Sequence, residues 1–167
     1  MHEFIKFETQ PKYVIGDLVK MNLERYEFFA SDNFRRYSFY SVGPKRRIKK
    51  TVVYSKVQEG PVIYNLAFGD EDIITGEIDD KIVTDNEDRD IVLATVANTI
   101  NAFIDRYGNH FIFAKGSTPS RTRLYQIGIS RLINEISTDF DVFGVIGDKV
   151  YPFKTNFNYE AFLIKRK

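Results

Sequence analysis

The chain has 167 residues, 43% of them hydrophobic and 28% charged, enough for one domain with a real core and too apolar for a disordered one. It has no cysteine and only two histidines, His2 and His110, which excludes disulfides, thiol nucleophiles and cysteine- or histidine-rich metal sites. The net charge of +1 hides a segregation: eight basic and no acidic residues lie between Phe34 and Lys56, and eleven acidic residues face only Lys81 and Arg89 between Glu59 and Asp90. Such a polarity either steers a charged partner or cancels across a sheet. No apolar run is long enough for a membrane span, and Met1 to Lys6 lack a signal peptide's pattern, so the expected location is the cytoplasm.

Residues 1–33 read as an irregular segment whose aromatics, such as Tyr26, Phe28 and Phe29, hold it to the core. One domain is expected over 34–167. Phe34 to Val42 reads as an aromatic-rich strand ended by Gly43-Pro44. Lys45 to Val57 follows as a strand with Ile48, Lys50, Val52 and Tyr54 on one face. Beyond the Glu59-Gly60-Pro61 turn, Val62 to Phe68 is a third strand and Gly76 to Val83 a fourth. A helix is expected over about Glu87 to Tyr107, with Val92, Leu93, Val96, Ile100, Phe103, Ile104 and Tyr107 on its buried side and Thr99 off it. Acidic residues gather at its start, where the helix dipole favours them, and Gly108 is placed to end it. His110 to Ala114 is a short strand, and a second helix runs from Pro119 to about Ile136. Asp141 to Ile146, Val150 to Phe153 and Ala161 to Ile164 read as strands, the first two joined at Gly147-Asp148. The expected fold is α+β: an antiparallel sheet of about four N-terminal strands, two helices packed on it, and a strand-rich tail.

The stretch from Phe113 to Tyr125 carries the strongest functional signal. Thr118 suits an N-cap and Pro119 a first helical position, so the free N–H groups of Gly116 to Ser120 would converge with Lys115, Ser117 and Arg123 as a phosphate cradle. The glycine spacing of a Walker loop is missing. Arg121 falls at the edge of the buried face of this helix and calls for a carboxylate partner, with Asp79, Asp80 or Asp88 as candidates; Arg123 points away and is freer to meet a ligand. The plain alternative is a capped helix with one structural and one exposed arginine.

Two further constellations deserve weight. Asp70, Asp79 and Lys81 match the carboxylate–carboxylate–lysine arrangement of metal-dependent nucleases, in which Mg²⁺ would be the only cofactor; the motif is short and also fits a solvated turn. Arg46, Arg47, Lys49 and Lys50, beside Tyr37, Phe39 and Tyr40, form a basic-aromatic ribbon of the kind that holds single-stranded nucleic acid. No other metal site or cofactor is indicated.

Tyr64-Asn65-Leu66-Ala67-Phe68-Gly69-Asp70, Asp79-Asp80, Asp88 to Val96, Gly116-Ser117-Thr118 with Arg121 to Tyr125, and Asn158 to Leu163 together resemble a family of functionally uncharacterised bacterial proteins, a domain of unknown function common in Bacteroidota-like genomes. The resemblance spans Phe34 to the C-terminus. It implies a bacterial origin and a single domain, and small proteins of this kind are associated with toxin–antitoxin pairs. The function expected from the sequence is binding of a phosphate-containing ligand, nucleic acid or nucleotide, at the start of the second helix, with a small cognate protein as a further partner. A metal-dependent nuclease and a protein-binding module with charge-segregated faces are the alternatives.

Overall fold

In the computed structural model, residues 5–6, 23–44, 46–79 and 86–167 are described. In chain order the elements are β1 (Ile5–Lys6), β2 (Phe29–Ala30), β3 (Arg36–Val42), β4 (Arg47–Glu59), β5 (Val62–Glu71), β6 (Ile78–Asp79), α1 (Arg89–Tyr107), β7 (Phe111–Ala114), α2 (Pro119–Asp139), β8 (Phe140–Ile146), β9 (Lys149–Pro152) and β10 (Ala161–Arg166). The class is α+β as expected, but the sheet is much larger than four strands. Ten described strands join one sheet, nine of them in the order β1-β2-β3-β4-β5-β7-β10-β8-β9, with β6 paired to the end of β5. The strand-rich tail is therefore not an appendage but supplies three of those ten strands, β8, β9 and β10. The segment read as irregular contributes β2, which pairs with β3, and its Phe28 is buried edge-on against Tyr37.

Every described pairing is antiparallel except β5 with β7, where Ile63 to Leu66 align with Phe111 to Ala114. A parallel pair requires a crossover, and α1 supplies it. The α1 periodicity places Phe103, fully buried, against Tyr54 of β4 at a ring separation of 4.1 Å and against Tyr64 of β5 at 4.8 Å. Thr99 departs from the expected helix face: it is buried, donating to the Val96 carbonyl at 2.7 Å and sharing a hydrogen bond with the Tyr54 hydroxyl at 2.8 Å. Satisfying the hydroxyl inside the helix is what lets a polar residue occupy the core. Burial pushes the Tyr54 phenol well above its ordinary pKa, so it stays a neutral partner in that pair. Gly108 ends α1 with a φ of 103°, a conformation open to glycine, and its N–H bonds the Ile104 carbonyl.

Strand alternation on β4 turns Ile48, Lys50, Val52 and Tyr54 toward the helices, and all four are buried. The opposite face carries Lys49, which bridges Glu71 at 2.5 Å, as does Arg36 from β3. Part of the basic block thus pairs with part of the acidic block across β3, β4 and β5. Burial acts to raise the Glu71 carboxyl, but hydrogen bonds from Arg36, Lys49 and Thr51 outweigh it and hold the group below its usual range. A depressed folded-state pKa supplies stability that is complete above the unfolded group's range and disappears as pH falls through the lowered one. Glu71→Gln should therefore lose stability at neutral pH and show a shallower further loss than the wild type when urea melts are taken below about pH 4.5.

Candidate functional site

The site begins with a topological accident. β5 and β7 run in the same direction, and the chain leaves the carboxyl end of each toward a helix, through β6 to α1 and directly to α2. Open sheets place ligands at the carboxyl ends of parallel strands, where departing loops leave a crevice. Here a groove of about 320 Å³ opens there and runs between α1 and α2 over the sheet. Its mouth is framed by Lys50, Asp70, Asp88, Arg89, Lys115, Ser117 and Arg121, while Arg131 lines it further along α2. Among the described lining residues five are cations and two are carboxylates; Lys50 and Asp70 pair with each other at 2.5 Å, and Arg131 pairs at 2.9 Å with Asp90 beside the groove, so the excess of positive charge is small.

The turn that delivers α2 to this mouth is built by three side chains. Thr118 caps the helix, its hydroxyl accepting from the Arg121 N–H at 3.2 Å, and Pro119 occupies the first helical position. Thr122 folds back one turn, and its hydroxyl accepts from the Gly116 N–H at 3.0 Å. Gly116 is required because a Cβ there would lie 2.4 Å from the Thr122 backbone nitrogen. One N–H of the expected cradle is thus spent on the turn itself. Lys115 and Ser117 line the groove, and Lys115 is exposed with no ion-pair partner among the described residues. Arg121 is buried, at 8% exposure, and donates to the Tyr125 hydroxyl at 3.3 Å.

Arg123 does not belong to this site. It lies on the exposed side of α2 and donates to Asn158 at 2.9 Å. Next to it, the buried Gln126 donates to the Phe157 carbonyl and accepts from the Tyr159 N–H, so this side of α2 clamps the loop before β10. The phosphate role expected for Arg123 gives way to a structural one because helical periodicity turns it outward, toward that loop.

Of the carboxylates weighed as partners of Arg121, Asp88 receives the Tyr26 hydroxyl at 2.6 Å and the Ser41 hydroxyl at 2.5 Å. Burial and this carboxylate together raise the Tyr26 phenol. Asp80 lies outside the described residues, as does Lys81 of the nuclease constellation. Asp70 and Asp79 stand directly opposite each other on β5 and β6, and Lys50 stands opposite Asp70 on β4. Directly paired residues share a face, so the three form one row across the sheet at the groove's mouth. Lys50 is 6% exposed and reaches Asp70 at 2.5 Å. This overturns its place on a solvent-facing ribbon: alternation puts it under the helices with Ile48 and Val52. Lys49 is engaged by Glu71. Arg46 and Arg47 are exposed, and Arg47 stacks on Tyr40 at 3.9 Å, while Tyr37 and Phe39 are core residues.

The groove itself is not visible in the sequence motifs. The signal that bears on it is Gly128, a glycine in mid-helix: a Cβ there would sit 3.0 Å from Leu93 of α1, so it thins α2 where the two helices border the groove. Residues 22–167 match the model of a family of unknown function, DUF6934. The chain belongs to that family. The match starts ahead of β2, so within the family's extent lie the Tyr26–Asp88 contact, the β5–β7 joint and the whole groove. No curated protein and no solved structure matches the chain. No described helix is long and apolar enough to cross a membrane.

Proposed function

We propose that the protein binds a phosphate-bearing ligand in the groove between α1 and α2, with the phosphate at the start of α2. The observation that carries this reading is the excess of cations around a mouth formed at the carboxyl ends of the parallel strands β5 and β7. Lys115 supplies mobile charge, Ser117 and Thr118 supply hydroxyls, and the first turn of α2 supplies N–H donors and the positive end of its dipole. Arg121 backs the mouth from the buried side. Gly116 shapes the turn rather than donating to the ligand.

The test is calorimetric titration of the full chain with inorganic phosphate, pyrophosphate and nucleoside phosphates. Binding is expected for phosphate-bearing compounds, and Lys115→Ala should weaken it about three- to tenfold, the loss of one exposed charge-assisted contact. Equal affinity for the wild type and Lys115→Ala, or no affinity for any phosphate compound, would sink the reading. The row of Asp70 and Asp79, paired across β5 and β6, carries a second reading, a carboxylate-metal nuclease, against which the Lys50–Asp70 ion pair counts. The same titration with Mg²⁺ addresses it, since metal binding that survives Asp79→Asn would count against that row as the ion's seat.

A further inference from the structure

An antiparallel sheet with helices on one face turns polar side chains to water on the other. Over β3 and β4 this chain does so, with Ser38 beside Thr51 and Tyr40 beside Lys49 on the outward face. Over β7, β10, β8 and β9 it does not. The helix-facing positions there include Ile112, Phe162 and Ile164, all buried. Alternation turns Phe111, Phe113, Leu163, Phe143, Val145 and Val150 to the opposite face. Phe113, Leu163 and Phe143 are successive cross-strand neighbours, as are Val145 and Val150, so these side chains form one patch. Phe111 meets Phe143 edge-on at 6.5 Å. None of the six joins the core or packs against it, and Val150 is 49% exposed. An apolar patch running across four adjacent strands marks a surface that another molecule covers.

The charges at the rim of the patch say which molecule. Lys165 of β10 and Asp141 of β8 stand directly opposite each other in the register, on this same face. Lys165 leans over the Phe111 ring at 5.0 Å, and among the described residues no ion pair joins Asp141 to a cation. One charge of each sign, side by side at the same height, is complementary to itself under a two-fold rotation. An axis along the strands, between β10 and β8, seats β10 of each copy over β8 of the other. Lys165 then meets Asp141 of the second copy and Asp141 meets its Lys165, while Leu163 meets Phe143 and Ala161 meets Val145. Two sheets stacked in this way lie about 10 Å apart with their strands nearly aligned, as in a β-sandwich. An axis across the strands would instead lay the charges on Ala161 and Val145, which costs desolvation with no pairing in return.

We propose that the protein forms a two-fold dimer through this sheet face, with Lys165 of each copy paired to Asp141 of the other. The groove between the helices lies on the opposite face, so the dimer does not depend on the phosphate reading.

The test is sedimentation velocity of the full chain over a dilution series from about 1 mM to about 1 μM, the span of weak and standard interfaces. A dimer is expected at the upper end. Lys165→Asp and Asp141→Lys each set like charges face to face twice per dimer and should weaken it about tenfold or more. Mixed one to one, the two variants restore both pairs, and the mixture should form a heterodimer as tight as the wild-type dimer. Circular dichroism checks that each variant is folded. If either is not, Val145→Lys replaces the pair, since it sets a cation against Ala161 of the other copy and should also weaken the dimer about tenfold or more. A wild type that stays monomeric at every concentration overturns the proposal. A dimer that these variants leave intact, or a mixture of folded variants that shows no recovery, overturns it as well.

Discussion

Replacing Phe103 with alanine is expected to cost about 3–5 kcal/mol of folding stability, the range for emptying a buried aromatic site. Phe103 is fully buried and stacks on Tyr54 and Tyr107 at 4.1 and 4.7 Å, with Tyr64 edge-on at 4.8 Å. Those neighbours come from β4, from β5 and from α1 itself, so the ring pins the crossover helix to two strands at once. The site cannot collapse onto the void, because Tyr54 is held by its Thr99 hydrogen bond and Tyr64 by its strand. Phe103→Leu should recover roughly half of the loss by refilling volume without restoring the ring contacts. Urea denaturation monitored by tyrosine fluorescence and circular dichroism reads both values. A loss under ~1 kcal/mol for the alanine variant would mean that α1 is not seated on β4 and β5 in this way.

Lys50→Ala is expected to cost about 3 kcal/mol at neutral pH, the low end of the range for breaking a buried ion pair, because the Asp70 side chain keeps 18% of its surface exposed. The ammonium is taken out of water under the helices, and the 2.5 Å contact with Asp70 is what makes that position tolerable. The loss comes from the carboxylate left behind, so a double variant, Lys50→Met with Asp70→Asn, should recover most of it by keeping the stem's volume and removing the charge. A double variant as unstable as Lys50→Ala would show that the lysine acts through packing over Phe68 rather than through the pair. The same comparison bears on the nuclease alternative, since an Asp70 held this firmly by lysine is a poor ligand for a divalent ion.

Much of the element pattern is legible in the sequence because local rules write it. Thr118-Pro119 opens α2 and Gly108 closes α1, as their side-chain and φ preferences dictate. The alternation of Ile48, Lys50, Val52 and Tyr54 is the buried face of β4. The burial of Arg121 likewise follows from its place on the α2 wheel. What is not legible depends on elements far apart in the chain. The pairing of β5 with β7 merges two sheets into one, and no turn or periodicity marks it. The groove exists only because α1 and α2 leave the same end of that pair, and the roles of Arg123 and Gln126 require the loop at 157–159 to lie against α2. Lys50 shows the limit most clearly: its face could be read from alternation, while its partner Asp70, on the neighbouring strand, comes from the hairpin register.

The parallel joint has a consequence for how the molecule comes together and comes apart. Described residues up to 71 form one antiparallel meander, residues 111–166 form a second antiparallel group in which β10 returns to lie between β7 and β8, and four register pairs of β5 and β7 join the two. The hairpins of the first group can assemble early, at small loop-closure entropy, whereas the β5–β7 join must wait for the crossover through α1, and the β7–β10 join for the return of the chain through α2. Opening the β5–β7 join would let the two groups part without breaking a hairpin. The groove straddles that join, taking Leu66 from one group and Ala114 from the other. Under the proposed function, a ligand lodged there would staple the two groups together across this join, and amide exchange at residues 63–66 and 111–114 is where its arrival would register.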